Sequence, residues 1–147
     1  DRFESRGLGD VYKRQHVLRP AIGSGTIVIC DRFYDSTRVY QGIVGGVPEA
    51  DIEALNTLAC GSLVPDLTIL LDMDVDEGLR RADERQTAET RFESKGIDFH
   101  RKVREGFLEL AARFGDRFVV IDAGRDIDHV TSEIEAAVLP RLSVALR

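Results

Sequence analysis

The sequence predicts an α/β fold, a parallel sheet with flanking helices, on three observations. Three short apolar runs, Thr26–Cys30, Leu67–Asp72 and Phe118–Asp122, are continuous and rich in β-branched residues or leucine, the pattern of strands covered on both faces. Each ends in, or runs directly into, an aspartate: Asp31, Asp72 and Asp122. Helical patterns separate the runs, so the strands are expected to pair in parallel through right-handed crossovers.

The elements follow in order. The first strand delivers Asp31 and Arg32 to its carboxyl end, where open α/β sheets gather their ligands. Val47 to Cys60 carries Ile52, Leu55 and Leu58 near helical spacing, with Gly61 as a stop. After the second strand, Val75 to Arg85 is acidic at its start (Asp76 and Glu77, after Asp74) and basic later (Arg80, Arg81, Arg85), a polarity that suits a helix dipole. Phe99, Val103, Phe107, Leu110 and Phe114 mark one face of a third helix. The third strand precedes a last helix over His129 to Leu146, with Val130, Ile134, Ala137 and Val138 inward. The polar segment Gln86 to Gly96 interrupts this pattern and reads as a mobile loop or lid.

Composition narrows the function. At 147 residues, 43% hydrophobic and 31% charged, the chain reads as one globular domain. A net charge of −6 argues against a general nucleic-acid binder, which needs a basic surplus to neutralise phosphates. No apolar run approaches the ~20 residues that span a bilayer, and no signal peptide opens the chain. Cys30 and Cys60 lack metal-ligand spacing and read as buried free thiols of a reducing compartment. A cytoplasmic location is therefore expected, with neither nucleic acid nor membrane as partner.

The stretch ICDRFYDSTRVYQG, Ile29 to Gly42, concentrates the chemistry. Arginine at a strand end can fork two N–H groups onto a phosphate, and a nearby carboxylate can orient Mg²⁺-bound water. Ser36, Thr37, Tyr40 and Gln41 offer donors and acceptors to a base or sugar. Spacing alone leaves a second reading open, in which Asp31 and Arg32 form a structural ion pair and the remainder caps a helix.

DRFYDSTRVYQG closely resembles the DR(Y/F/H)xxSTxAYQG signature of bacterial thymidylate kinases. The resemblance continues collinearly through VLRPAIGSGTIVICDRF, GSLVPDLTILLDMDVDEGLRRADER and FESKGIDFHRKVREGFLELAARFGDRFVVIDAG, covering essentially everything from His16 onward. It implies a P-loop kinase-like fold and the ATP-dependent phosphorylation of dTMP to dTDP, with Mg²⁺ as cofactor and a homodimer when full length. By position, Arg32 would hold the dTMP phosphate and Asp31 would join the phosphate and Mg²⁺-water network. Ser36 and Thr37 would lie beside thymine, Tyr40 would pack near the deoxyribose and help exclude a 2′-OH, and Gln41 would close the pocket. Arg38 and Val39 depart from the small residues usual at their positions. Gln86 to Gly96 matches the lid, whose Arg91, with Arg81 and Arg85, would approach the ATP phosphates. Thr90 stands where the family often has aspartate. Ala123, Gly124 and Arg125 align with the turn that contacts adenine. His100 and Glu105 lie on a helix that follows the family's structural pattern, and satisfied surface roles are expected for them.

Two features point to a truncated copy. The chain contains no GxxxxGK[ST], the loop whose backbone N–H groups and lysine cradle donor phosphates, and the thymine-stacking aromatic of the family is also missing. Ser5 to Gln15, SRGLGDVYKRQ, back-translates into a codon string resembling a transposase-type sequencing adapter. Residues 1–15 are therefore read as a non-native segment, and 16–147 as the C-terminal part of a thymidylate kinase domain. Removing the segment's four basic and three acidic residues from 20 and 26 leaves a net charge of −7, still unsuited to nucleic acid. In the resembling family the P-loop strand lies between those matching Thr26–Cys30 and Leu67–Asp72. Its loss is expected to leave two unpaired edges and a fragment that is poorly stable and inactive alone. Another nucleotide kinase, or a noncatalytic nucleotide-binding module, remains open as an alternative.

Overall fold

The computed structural model describes residues 17–85 and 96–145. The expectations for residues 1–15 and for the lid as far as position 95, Arg91 included, lie outside the described residues. The chain divides into two compact units, residues 1–64 and 65–147.

The first unit is helical. α1 spans Arg19–Gly23, and α2 spans Tyr34–Thr37 and widens at once into a π-helical turn, Arg38–Ile43. α3 runs Glu49–Cys60 and stops at Gly61, whose φ of +61° favours glycine. Arg19 fastens the end of α3 by donating to the Cys60 carbonyl at 3.2 Å, so one orphan helix carbonyl is satisfied from α1. The core of this unit is Tyr34, Val39, Ile52 and Cys60, joined by the buried polar residues Asp35 and Asn56.

Two expectations for this unit are corrected. Thr26–Cys30 forms no strand: an apolar β-branched run becomes one only when a neighbour supplies hydrogen bonds, and no described residue pairs with it as a strand. Ile29 is 92% exposed, and Cys30 is exposed rather than buried, while Cys60 is buried as expected. In α3, Leu55 and Leu58 face outward at 54% and 83% exposure. Ile52, Asn56 and Cys60, four residues apart, form the buried ridge instead.

The second unit carries the sheet. β1, Thr68–Asp72, pairs in parallel and in register with β2, Phe118–Asp122. Between them lie α4, Val75–Arg85, and α5, Ile97–Arg113; α6, Ile127–Ala145, follows β2. This is the expected order of a parallel α/β unit, with two strands among the described residues rather than three. Cover on both faces is incomplete, because Leu71 and Val120 remain about half exposed, at 52% and 46%. Phe118, Ile121, Leu110, Ala111, Val130 and Ala137 form the core. Asp74 Oδ1 accepts the N–H groups of Asp76 and Glu77, and Asp126 Oδ1 accepts that of His129. Each aspartate thus satisfies orphan donors at a helix start. No described helix is long and apolar enough to cross a membrane.

Candidate functional site

The residues singled out by sequence fall into two clusters, one in each unit. In the first unit the backbone is unusual where the Asp-Arg pair sits. Arg32 has φ +66°, a left-handed conformation that costs a residue with a Cβ about 1–2 kcal/mol. Phe33 is then extended before α2 begins. The kink turns Arg32 toward the helix that follows it. Its Nη2 donates to the Tyr40 hydroxyl at 3.3 Å, and its guanidinium carbon lies 5.3 Å from the Tyr40 ring centre. Non-glycine residues held at positive φ concentrate where function over-determines them, and π-helical turns often mark functional sites as well. This segment has both.

Asp31 and Arg32 are exposed, Ser36, Thr37 and Tyr40 are half-buried, and Gln41 is exposed on the π-helical turn. An exposed carboxylate beside an exposed guanidinium suits a phosphate with its hydrated cation. No group of three or more metal-ligating side chains occurs among the described residues.

Sequence reasoning left Arg38 without a role. The guanidinium grips both Glu53 oxygens, with Nε and Nη2 each at 2.6 Å. Nη1 donates to Asp35 at 3.0 Å, and the group lies over the Tyr34 ring at 4.6 Å. The bond to Glu53, reinforced by Asp35, holds the Arg38 cation above its ordinary range, against the opposing effect of burial. Val39 is fully buried. The two departures from the expected small residues therefore anchor the segment: Arg38 to α3, Val39 in the core.

In the second unit the carboxyl ends of β1 and β2 converge on one turn. The Ala123 N–H donates to the Asp72 carbonyl at 2.7 Å, and the Gly124 N–H donates to Asp122 Oδ1 at 2.9 Å. Arg81 reaches the same turn from α4, donating to the carbonyls of Ala123 and Gly124, each at 3.1 Å. Its Nε donates to Glu77 at 2.7 Å. The structure thus brings Arg81 together with Ala123 and Gly124, and here it orders the turn's backbone. Arg125 is exposed beside it. Arg85 is the last residue of α4, and its side chain lies outside the described residues.

A cavity of about 310 Å³ lies between β1, α4 and α5, with Leu70, Leu79, Val103 and Phe107 among its walls. Glu105 is exposed as expected, but His100 borders this cavity and its Nε2 is buried with no hydrogen-bond partner among the described residues. At the rim, Arg104 grips both Asp72 oxygens at 2.7 and 2.8 Å. That fork holds the Asp72 carboxyl below the ordinary carboxylate range, although burial acts the other way. A depressed carboxyl contributes stability above its unfolded pKa of about 3.9 and loses it as pH falls through the folded value. Acid unfolding of the chain, followed by its helical circular dichroism, is expected to flatten below pH ~4 in Asp72→Asn. An unchanged acid limb would show that the pair does not contribute.

The comparisons with known proteins agree with one another. A family profile described as Thymidylate kinase matches residues 10–134. A thymidylate kinase from Caulobacter vibrioides is 48% identical over 130 residues, covering 88% of this chain and 62% of the relative. One from Trichlorobacter lovleyi is 47% identical, over 87% of the chain and 63% of the relative. One from Ruegeria pomeroyi is 44% identical, over 89% and 63% respectively. The chain therefore spans a little under two thirds of the length of these curated relatives.

Proposed function

The chain belongs to the thymidylate kinase family, and from that membership we propose that it is the dTMP-binding and adenine-binding part of a kinase that converts dTMP and ATP to dTDP and ADP. An oxygen of the dTMP phosphate attacks the γ-phosphorus of ATP. The bond from that phosphorus to the β,γ-bridging oxygen breaks, and ADP leaves. Phosphoryl transfer asks little covalent work of the protein, so positioning and cations carry the catalysis.

The observation that supports this reading best is Arg32, fixed on left-handed backbone and in contact with Tyr40. Arg32 would fork onto the acceptor phosphate while Tyr40 lies against the sugar. Ser36 and Thr37 would meet the pyrimidine edge, and Gln41 would close the pocket. Asp31 would hold water of a Mg²⁺ ion, which when bound offsets charge on the transferring phosphoryl group. In the second unit, the Ala123–Gly124–Arg125 turn would take adenine. Arg81 orders that turn, and Arg85 and the lid's Arg91 would approach the donor phosphates. We place the complete enzyme in the cytoplasm, as a homodimer. Residues 1–15 we take as non-native sequence.

Assaying dTMP-dependent ADP release tests the reading. Residues 16–147 alone are expected to give no turnover, whereas an enzyme completed upstream of His16 with a P-loop segment is expected to turn over with dTMP as the preferred acceptor. Preference for another nucleoside monophosphate would replace the substrate, and absence of turnover in the completed protein would reject the kinase reading.

A further inference from the structure

We propose that Arg38 is a positioning residue for the nucleotide site, holding Tyr40 against Arg32 by fastening the π-helical turn to α3. The inference rests on the dTMP-binding reading for its consequence, though not for its geometry. Arg38 opens the turn on which Tyr40 sits two residues later. Its guanidinium is committed on both sides: to Asp35 within α2, and through a two-pronged contact to Glu53 on α3. A planar fork of this kind fixes direction as well as distance, which a lysine ammonium does not.

The turn benefits from an external anchor. A π-helical turn accommodates an extra residue, and here the Val44 N–H donates to the Val39 carbonyl, five residues back, at 2.9 Å. Such turns are uncommon in isolation and persist where the surroundings hold them. The Asp35 side of the anchor is also shielded, because the Arg38 side chain is only 16% exposed and that of Asp35 only 7%, whereas the Glu53 side chain on α3 is 41% exposed. Salt therefore screens the Arg38–Asp35 pair much less than an exposed one. Asp35 and Tyr34 are buried beneath it, so movement of Arg38 is transmitted to the backbone that bears Arg32 and Tyr40.

Two measurements on the full chain test this. The first is amide exchange with the Tyr40 ring resonances, in Arg38→Ala, Arg38→Lys and the milder Glu53→Gln. Expected is exchange at Val44 faster by about tenfold in Arg38→Ala, with the Gly61 amide at the end of α3 unchanged and the Tyr40 ring resonances shifted. Glu53→Gln should move the same signals less, and the reversed pair Arg38→Glu with Glu53→Arg should restore them. The second is dTMP titration of the wild type, Arg38→Ala, Tyr40→Phe and the double variant. Affinity should fall about tenfold in Arg38→Ala. The double variant should lose no more than the larger single loss, because both changes act through one side chain. Unchanged Val44 exchange and Tyr40 resonances in both Arg38→Ala and Glu53→Gln would overturn the proposal, as would fully additive losses of dTMP affinity. A wild-type chain that ignores dTMP while Val44 and Tyr40 respond as expected would leave the positioning of Tyr40 supported, and the same failure in an enzyme completed upstream of His16 would strike the nucleotide reading.

Discussion

Replacing Arg32 by alanine in an enzyme completed upstream of His16 is expected to lower kcat/KM for dTMP by about 10²- to 10³-fold, the usual consequence of removing one preorganised donor from a developing charge. The size follows from the role proposed for Arg32. Arg32 is the side chain that the chain's irregular backbone aims at Tyr40. Lysine at this position should recover little, because an ammonium cannot reproduce the fork that grips two phosphate oxygens. Arg32→Gly makes the test sharper. It removes the same guanidinium but also removes the Cβ that a φ of +66° disfavours, so it should be about 1 kcal/mol more stable than Arg32→Ala while equally inactive. A conformation that weakens the fold and serves the site is the signature of strain retained for function. Near-normal kinetics in Arg32→Ala would refute the assigned role. Equal stability of the two variants would show that the left-handed conformation stores no strain.

How far this site was legible in the sequence depends on how local its interactions are. β2 and α4 were readable to the residue, because a continuous apolar run ending at Asp122 and a charge gradient from Asp76 to Arg85 are local signals. The joining of Arg32 to Tyr40 is also local, spanning eight residues. The anchor from Arg38 to Glu53 spans 15 residues and that from Arg81 to the Ala123 carbonyl spans 42. Neither leaves a periodic trace, and on composition alone both arginines resemble solvated surface charge. The buried ridge of α3 was not legible for a different reason. Ile52, Leu55 and Leu58 at three-residue spacing and Ile52, Asn56 and Cys60 at four-residue spacing are both helical neighbours, and hydrophobicity favoured the leucines over a buried asparagine. The first apolar run failed as a strand because pairing is a property of two segments. Thr26–Cys30 has β propensity but no described partner, whereas Thr68–Asp72 gains a full in-register ladder from Phe118–Asp122.

The glycines that follow the π-helical turn give the second large effect, and they separate steric contact from backbone preference. The chain doubles back here: the Gly46 N–H donates to the Gly42 carbonyl at 2.8 Å and the Val47 N–H to the Gln41 carbonyl at 3.0 Å. A Cβ on Gly45 would stand 2.6 Å from the Gln41 carbonyl oxygen and 2.8 Å from that of Tyr40. Both are backbone atoms, one of them already engaged by Val47, so neither yields as a flexible side chain would. Gly45→Ala is therefore expected to destabilise the first unit by about 3 kcal/mol, at the upper end of overpacking effects. Gly46→Ala meets no atom but must adopt φ +75°, which costs about 1–2 kcal/mol. Gly42→Ala meets Ile52 at an ordinary 3.6 Å and, lying in the helical segment, should be neutral or stabilising by about 0.5–1 kcal/mol. Denaturant unfolding of the three variants should rank them in that order. The functional consequence is equally specific. The carbonyls that Gly45→Ala displaces belong to Tyr40 and Gln41, so in a completed enzyme KM for dTMP should rise while KM for ATP stays put. A Gly45→Ala protein as stable as Gly42→Ala, or one that weakens both substrates alike, would show that the turn does not hold Tyr40 and Gln41 in place.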